Sequence, residues 1–384
     1  MKKIFFLPVL AALLFAGMLA SLTQVWAQPQ QALAPFKWVD PLDEGPVVHG
    51  VGWDELKGGY VRLPERAHGV VRDQVWDLSL NAAGLSLVFE SDAPEIIVLY
   101  GLKNGLNMFH MPSTGRSGVD LYATDAEGRL RWVAPDFPAK VSNDTTRYIY
   151  SGISYYPEDA RSYEYHLYLP PYNTVTWLKI GIPGDAQIRF IPETRKHPVV
   201  IYGTSITQGG CVSRSGNAWT TIVERELRLP VVNLGFSGNG KLDPEVLTLL
   251  SEIDASLYVL DCTANLTRAT DIEPRLLEAV RILRSRSDCP ILIAEHAGNT
   301  GEIASKAKEA YRQANAQVRS AYETLKKRGE PEIYYLSHDE LGMPMDGMIE
   351  GVHPNDYGMR FLASAFEKKI MEVWRTSKTM KTTN

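Results

Sequence analysis

The sequence predicts an α/β protein in two parts: a β-sandwich, then a three-layer α/β/α domain with a five-stranded parallel sheet. Two patterns predict this division. Short runs that alternate between apolar and polar residues fill much of the chain before residue 195, whereas nearly continuous apolar runs alternate with helical stretches after it. A chain of 384 residues with 45% hydrophobic residues is also large enough for two cores.

The N-terminal segment is typical of a secretory signal peptide. Met1–Lys3 supplies positive charge, an apolar run follows to about Leu22, and Val25-Trp26-Ala27 carries small residues at the cleavage positions. We therefore predict a signal peptide over residues 1–27, cleavage near Ala27, and export to the periplasm or the extracellular space. The alternative is an uncleaved anchor helix, since the run approaches spanning length. No later segment is long and apolar enough to span, so no membrane insertion is expected after signal removal.

Residues 28–194 have the pattern of a β-sandwich. Turn residues such as Asn104-Gly105 and Glu127-Gly128 separate short runs rich in β-branched and aromatic residues. The predicted strands are Leu85–Phe89, Glu95–Tyr100, Val119–Ala123, Leu130–Ala134, Arg147–Ile153, Tyr163–Leu169 and Val175–Ile182. Residues 28–80 show little periodicity, and no stretch of this part has the length and period of a helix.

Residues 195–376 have the pattern of a parallel sheet covered by helices on both faces. The predicted strands are His197–Tyr202, Val231–Phe236, Ser256–Leu260, Pro290–Ala294 and Ile333–Leu336. The predicted helices are Ser215–Leu229, Asp243–Ser251, Glu273–Arg286, Glu302–Arg328 and Pro354–Trp374. Residues 377–384 form a polar tail.

Charge and motif content exclude several classes of function. The net charge is −5 and no basic block stands out, so nucleic acid is not an expected partner. The spacing of Cys211, Cys262 and Cys289 fits no zinc template, and we predict that they are small buried residues. The chain lacks a P-loop, a Gly-x-Gly-x-x-Gly after the first parallel strand and a His-x-x-x-His pair. We therefore expect no cofactor and no metal requirement.

Polar residues follow the ends of the parallel strands. Ser205 follows the first strand, Gly238 the second and Asn265 the third, while Glu350 and His353 lie in the loop before the closing helix. Ligands of open α/β sheets bind beyond the carboxyl ends of the strands, so we expect these residues on one rim of the sheet.

These residue types suit acyl transfer. A serine hydroxyl needs a base, histidine serves as one near neutral pH, and a carboxylate holds the imidazole in the required tautomer. The N–H groups of Ser205 and Gly238 and the side-chain amide of Asn265 can stabilise an oxyanion. By itself, Ser205 would be interpreted first as a cap of the following helix.

The four segments resemble, in order, the sequence blocks of the SGNH (GDSL-like) hydrolases, over about residues 196–375. The resemblance implies a flavodoxin-like domain in which Ser205 is the nucleophile and His353 the base. It also implies an oxyanion hole made by Ser205, Gly238 and Asn265, and an acid at Glu350, three residues before the histidine.

The segment Gly118-Val119-Asp120-Leu121-Tyr122 resembles the GxDLY signature of a β-domain, here expected to be jelly-roll-like, that precedes one branch of SGNH esterases. Three departures from the family pattern occur: Thr204 replaces the usual Asp, Ala264 stands where many members have Gly or Pro, and Glu350 replaces the usual Asp. Asp346, or a Ser–His pair helped by a backbone carbonyl, remain alternatives for the acid.

The leading hypothesis is a serine esterase that removes acetyl groups from a polysaccharide or oligosaccharide. A lipase- or thioesterase-type acylhydrolase and an inactive glycan-binding protein remain open. His296 and Asn299 follow the fourth parallel strand, where they could line the substrate pocket; a hydrogen-bonded structural role is the alternative for His296.

Overall fold

The computed structural model describes residues 35–125, 127–136, 142–154, 162–300 and 307–379. The predicted signal peptide, residues 1–27, lies outside the described residues. Within them, no helix is both long and apolar enough to cross a membrane.

Two antiparallel sheets form the first part of the chain. Its strands are β1 (Phe36–Val39), β2 (Val48–His49), β3 (Ser86–Ser91), β4 (Ile96–Leu102), β5 (Asp120–Thr124), β6 (Leu130–Val133), β7 (Thr146–Tyr150), β8 (Tyr163–Tyr168), β9 (Val175–Pro183) and β10 (Ile188–Phe190). One sheet has the order β1-β9-β4-β7 and the other β10-β3-β8-β5-β6, with β2 paired to β3. Inward-facing residues of both sheets, such as Val98, Leu121, Leu167 and Ile180, share one core. The predicted β-sandwich is confirmed.

A parallel sheet with helices on both faces forms the second part, as predicted. Its strands are β11 (Val199–Gly203), β12 (Val231–Gly235), β13 (Leu257–Asp261), β14 (Ile291–Ala294) and β15 (Ile333–Leu336), in the order β12-β11-β13-β14-β15. Its helices are α3 (Ser205–Gln208), α4 (Trp219–Leu227), α5 (Pro244–Leu250), α6 (Ile272–Arg284), α7 (Ala307–Lys327), α8 (His338–Leu341) and α9 (Asp356–Thr376). Separate apolar clusters cover the two faces of this sheet, so its strands are largely buried on both sides.

Two short helices precede residue 195, so the expectation of a helix-free first part is wrong. They are α1 (Asp73–Ser79) and α2 (Ser113–Arg116). Each is shorter than the window over which a period of 3.6 residues can be recognised. Most apolar residues of the stretch 53–79, which includes α1, pack on the parallel sheet: Trp53, Leu63 and Val75 share a cluster with Leu234 and Val246.

The GxDLY segment joins the two parts. Asp120 is 3% exposed, and its carboxylate accepts hydrogen bonds from Arg214 Nη1 at 2.9 and 3.0 Å, from Trp132 Nε1 at 2.7 Å and from the Gly216 N–H at 3.1 Å. Tyr122 lies beneath the Arg225 guanidinium, 4.5 Å from the ring centroid. Arg214, Gly216 and Arg225 all lie in or just before α4, so the motif fixes the sandwich against the helix that follows the α3 loop.

The three cysteines are buried, as predicted, and all three are free thiols in the structure. Burial raises the pKa of the Cys211 thiol to about 12, so it stays protonated at neutral pH.

Candidate active site

Ser205 is the first residue of α3, directly after β11. Its side chain is placed by a tight local structure: Thr204 accepts from the Ile206 N–H at 3.3 Å, and Thr207 Oγ1 accepts from the Thr204 N–H at 3.3 Å. Thr204 therefore caps the helix, which leaves the Ser205 hydroxyl free for another partner. As the first helical residue, Ser205 has an N–H without an acceptor in the preceding turn of its own helix.

His353 is that partner. Ser205 Oγ lies 2.8 Å from His353 Nε2. The opposite ring nitrogen, Nδ1, is hydrogen-bonded to Glu350 Oε1, and the His353 N–H donates to Glu350 Oε2 at 3.3 Å. The three side chains thus form a continuous chain from hydroxyl to imidazole to carboxylate, the arrangement a serine nucleophile requires.

A short bridge brings the glutamate back to the histidine. The Ile349 N–H donates to the His353 carbonyl at 2.9 Å, and Gly351 has φ +91°, a value that favours glycine. This tight loop compensates for the extra methylene of glutamate. The alternative acid, Asp346, is exposed, and its backbone carbonyl accepts from Asn355 Nδ2 at 2.8 Å. Its carboxylate contacts neither nitrogen of the His353 ring.

Gly238 lies in a turn at the end of β12. The Asn239 N–H donates to the Phe236 carbonyl at 2.8 Å, and Gly238 has φ +69°. Its N–H has no hydrogen-bond partner among the described residues. A Cβ at Gly240, two residues later, would lie 2.1 Å from the Gly203 carbonyl oxygen, so this loop packs directly on the turn that carries Ser205.

Asn265 ends a single 3₁₀ turn, Thr263–Asn265, after β13. Its Oδ1 accepts from the Gly240 N–H at 3.0 Å. This bond fixes the amide orientation and leaves the Nδ2 group as a donor. The structure therefore places Ser205, Gly238 and Asn265 after three adjacent strands, at the same edge of the sheet.

Two side chains hold the loop around Gly238. Gln208 Oε1 accepts from the Ser237 N–H at 2.9 Å, and Arg72 Nη1 donates to Asn239 Oδ1 at 2.6 Å. Arg72 also pairs with Asp243 at 2.8 Å. Sequence reasoning missed Arg72 because it lies in the aperiodic stretch before residue 80, where no pattern ties it to a strand end 160 residues later.

A half-buried carboxyl lies beneath the Ser205 turn. Thr207 Oγ1 donates to Asp261 Oδ2 at 2.6 Å. Desolvation raises the pKa of Asp261 to about 7, and the Thr207 hydroxyl only partly opposes this shift. The carboxyl is therefore largely protonated below neutral pH.

His296 and Asn299, the two predicted substrate-pocket residues, lie in a loop beside the histidine loop. The neighbouring Thr300 N–H donates to the Gly351 carbonyl at 3.3 Å. His296 is 5% exposed, its Nδ1 accepts from the Gly298 N–H at 2.8 Å, and its ring stacks on Tyr311. Burial lowers the pKa of His296 to about 4. These contacts are those of a neutral structural histidine, whereas Asn299 is half-buried at the edge of the same loop.

The first part of the chain contributes three residues that sequence reasoning missed. Tyr172 donates its hydroxyl to the Ser205 carbonyl at 2.9 Å, and the His110 ring lies edge-on to His353 with centroids 5.4 Å apart. Arg116 lines a cleft with Tyr172 and Ser237. No local signal identifies such residues, because their positions depend on how the sandwich packs on the sheet.

His110, Cys211 and His353 place three potential metal ligands within 4.8 Å of one another. Both ring nitrogens of His353 already have partners, and burial keeps the Cys211 thiol protonated. The donor set fits a proton-transfer site better than a metal centre.

Comparison with known proteins identifies the family of each part of the chain. A profile of the GDSL-like Lipase/Acylhydrolase family matches residues 196–371, and a profile named GxDLY, the N-terminus of SGNH-hydrolase-type esterases, matches residues 36–188. The sequence matches no curated protein.

Two solved structures are similar over nearly the whole chain. A putative GDSL-like lipase from Bacteroides ovatus ATCC 8483 is 27% identical with a TM-score of 0.80, covering 91% of this chain and 100% of that one. The salicylyl-acyltransferase SsfX3 from a tetracycline biosynthetic pathway is 17% identical with a TM-score of 0.68, covering 90% and 99%. At that identity the second likeness shows the fold alone.

Proposed function

Because this chain belongs to the SGNH (GDSL-like) hydrolases, with a GxDLY domain before the catalytic domain, and is an esterase of that family, we propose that it deacetylates carbohydrates through a Ser205–His353–Glu350 triad. The observation that supports the mechanism is the hydrogen-bonded chain through these side chains, with Ser205 Oγ 2.8 Å from His353 Nε2.

In the acylation step, Ser205 Oγ attacks the ester carbonyl carbon while His353 Nε2 accepts its proton. Glu350 stabilises the imidazolium that forms and keeps the Nδ1 proton in place. The carbonyl oxygen becomes negative and accepts hydrogen bonds from the Ser205 and Gly238 N–H groups and from Asn265 Nδ2. Collapse of the intermediate breaks the C–O bond to the alcohol, which leaves with the proton from His353.

The deacylation step repeats this sequence with water. His353 removes a proton from water, the hydroxide attacks the acyl-serine carbonyl in the same oxyanion hole, and Ser205 leaves with the proton. The acid is released and the free serine is restored. No cofactor takes part in either step of this proposal.

The carbohydrate substrate is supported by three features. The sandwich that precedes the catalytic domain extends the surface beside Ser205, and its Phe109 side chain, adjacent to His110, is 93% exposed. An exposed aromatic ring beside the base can stack on a sugar ring. The predicted export signal over residues 1–27 would bring the enzyme to glycans outside the cytoplasm.

The esterase mechanism is tested with short-chain nitrophenyl esters. Ser205→Ala should lower kcat by at least about 10³-fold because no other hydroxyl of the described residues is hydrogen-bonded to the imidazole. The matched control is Ser151→Ala, an exposed serine of the sandwich, which should keep the wild-type rate. Equal rates in wild type and Ser205→Ala would contradict the mechanism.

The substrate class is tested separately with a panel of acetylated glycans, with free acetate as the readout and Ser205→Ala as the blank. A preference for acyl chains of eight carbons or more in a nitrophenyl ester series would instead favour a lipase- or thioesterase-type enzyme. Glycan binding without turnover, and without labelling by a fluorophosphonate, would favour a glycan-binding protein.

A further inference from the structure

A cleft of about 630 Å³ opens beside the oxyanion loop, between the two parts of the chain. Ser237 and Asn239, the neighbours of Gly238, form one wall. Lys103, Asn104, Arg116 and Tyr172 from the sandwich lie around it. Tyr172 also contacts the Ser205 carbonyl, so the cleft begins next to the nucleophile.

Arg116 is a half-buried cation without a counter-ion in this cleft. It forms no ion pair with a carboxylate of the described residues. Nη1 donates to the Asn107 carbonyl, whereas Nε is buried and has no hydrogen-bond partner within the described chain. Burial lowers the pKa of the guanidinium, which still remains charged at neutral pH. Because Nε is shielded from solvent, the Nη groups are the donors left for a ligand in the cleft.

The other charges around the cleft leave it positive. Lys103 is exposed at its edge and carries a second positive charge. Asp77 is exposed on the same edge, and no salt bridge connects it to Arg116 or Lys103. The planar fork of an arginine matches a carboxylate better than a lysine does.

We propose that this cleft is a subsite for a carboxylate on the sugar that carries the acetyl group, with Arg116 as its principal ligand. This inference rests on the proposed function. Beyond its carbonyl, an acetyl group adds only a methyl, which fills a small fraction of the cleft. The alcohol half of the ester must therefore occupy most of it, and the enzyme should prefer acetylated uronides to neutral acetylated sugars.

The test uses one glycan in two charge states. Acetylated oligogalacturonides are compared with the same oligosaccharides after methyl esterification, which removes the carboxylate charge and keeps the acetyl groups. For wild type, kcat/KM for acetate release should be at least about tenfold higher for the charged form, the size expected for charge-assisted hydrogen bonds. Raising the salt concentration should reduce this ratio.

Variants identify the ligand. Arg116→Gln should bring the charged-to-neutral ratio close to one, and Arg116→Lys should give an intermediate ratio because the charge remains but the fork is lost. Arg360→Gln removes an exposed arginine of α9 that pairs with Glu226, and this variant should keep the wild-type charged-to-neutral ratio. Thermal unfolding of each variant checks folding. If Arg116→Gln does not fold, the charged-to-neutral ratio of kcat/KM for wild type, measured at low and high salt, tests the proposal instead.

Failure of the carboxylate subsite and failure of the proposed function give different results. Acetate release from both forms at equal kcat/KM in wild type would overturn the subsite and leave the proposed function intact. Release from neither, with nitrophenyl acetate still hydrolysed, would overturn both. A preference for nitrophenyl succinate over nitrophenyl butyrate, without a preference between the two glycans, would place the carboxylate in the acyl half and overturn the assignment to the sugar.

Discussion

The parallel sheet and the sandwich contribute to the site in different ways. The groups of the proposed triad, Ser205, His353 and Glu350, follow strands of the sheet or precede its last helix. The sandwich instead supplies residues that contact the triad from outside, such as Tyr172 and His110. The triad side chains are therefore positioned by the order of strands within one sheet. The residues around the ester are positioned by the packing of the sandwich against that sheet.

The contact between the two parts is itself built around a charge. Asp120 is almost fully buried, and desolvation raises its pKa although Arg214, Trp132 and the Gly216 N–H all favour the ionised form. A buried carboxylate with three kinds of partner fixes one orientation of the sandwich on the sheet. Placement of Tyr172, His110 and Arg116 on the rim depends on this orientation.

The largest expected effect is on kcat and concerns Glu350, in the part of the chain that contains the parallel sheet. Glu350→Ala removes the carboxylate from His353 Nδ1, so the imidazolium loses its stabilising charge and the ring its fixed tautomer. We expect kcat for nitrophenyl acetate to fall roughly 10³-fold. Asp346→Asn is the matched control and should change kcat little, because that carboxylate does not contact the ring. Similar losses in the two variants would remove Glu350 from the triad.

The next effect concerns the contact between the parts. Asp120→Ala leaves Arg214 and Trp132 Nε1 without their common acceptor, and we expect the free energy of unfolding in urea to fall by about 3 kcal/mol. Glu90→Ala removes the exposed ion pair with Arg189 on the same sheet and should cost no more than about 0.5 kcal/mol. If the Asp120 variant is no less stable than the Glu90 variant, the GxDLY segment does not join the two parts.

The two regions also differed in how far the sequence predicted them. Periodicity and length predicted the five parallel strands, the seven main sandwich strands and the position of Ser205 at a strand end. They did so because a buried strand of sufficient length has a recognisable apolar pattern in the sequence. Strands β1, β2 and β10 and helix α1 did not, because each is too short for a period to show. Arg72, His110 and Arg116 were invisible for another reason: their partners lie far away in the chain, on the other core.

A third prediction concerns the half-buried carboxyl of Asp261 beneath Ser205. Folding raises the pKa of Asp261 from its usual value near 4 to about 7, so the stability it contributes is complete at acidic pH and is lost as the pH rises through 7. Asp261→Asn keeps an acceptor for Thr207 without this titration. Relative to wild type, the variant should gain on the order of 2 kcal/mol between about pH 4 and pH 8. Urea unfolding across that range measures the gain, with exposed Asp185→Asn as control; parallel pH profiles for wild type and Asp261→Asn would show that the carboxyl is ionised when folded.

The smallest expected effect is on kcat and concerns Tyr172, at the contact between the sandwich and the parallel sheet. Tyr172 is a sandwich residue, and its hydroxyl donates to the carbonyl of Ser205, which also accepts from the Gly210 N–H at 2.7 Å. Tyr172→Phe removes one of the hydrogen bonds to the Ser205 carbonyl, so kcat should fall about threefold to tenfold, in line with a neutral hydrogen bond of about 1 kcal/mol. Tyr150→Phe is the matched control: this buried sandwich hydroxyl has no partner within the described chain, and its loss should leave kcat unchanged. Since both variants remove one buried hydroxyl oxygen from the first part of the chain, a difference between them isolates the contact with Ser205. Equal kcat values would mean that the sandwich surrounds the nucleophile without positioning it.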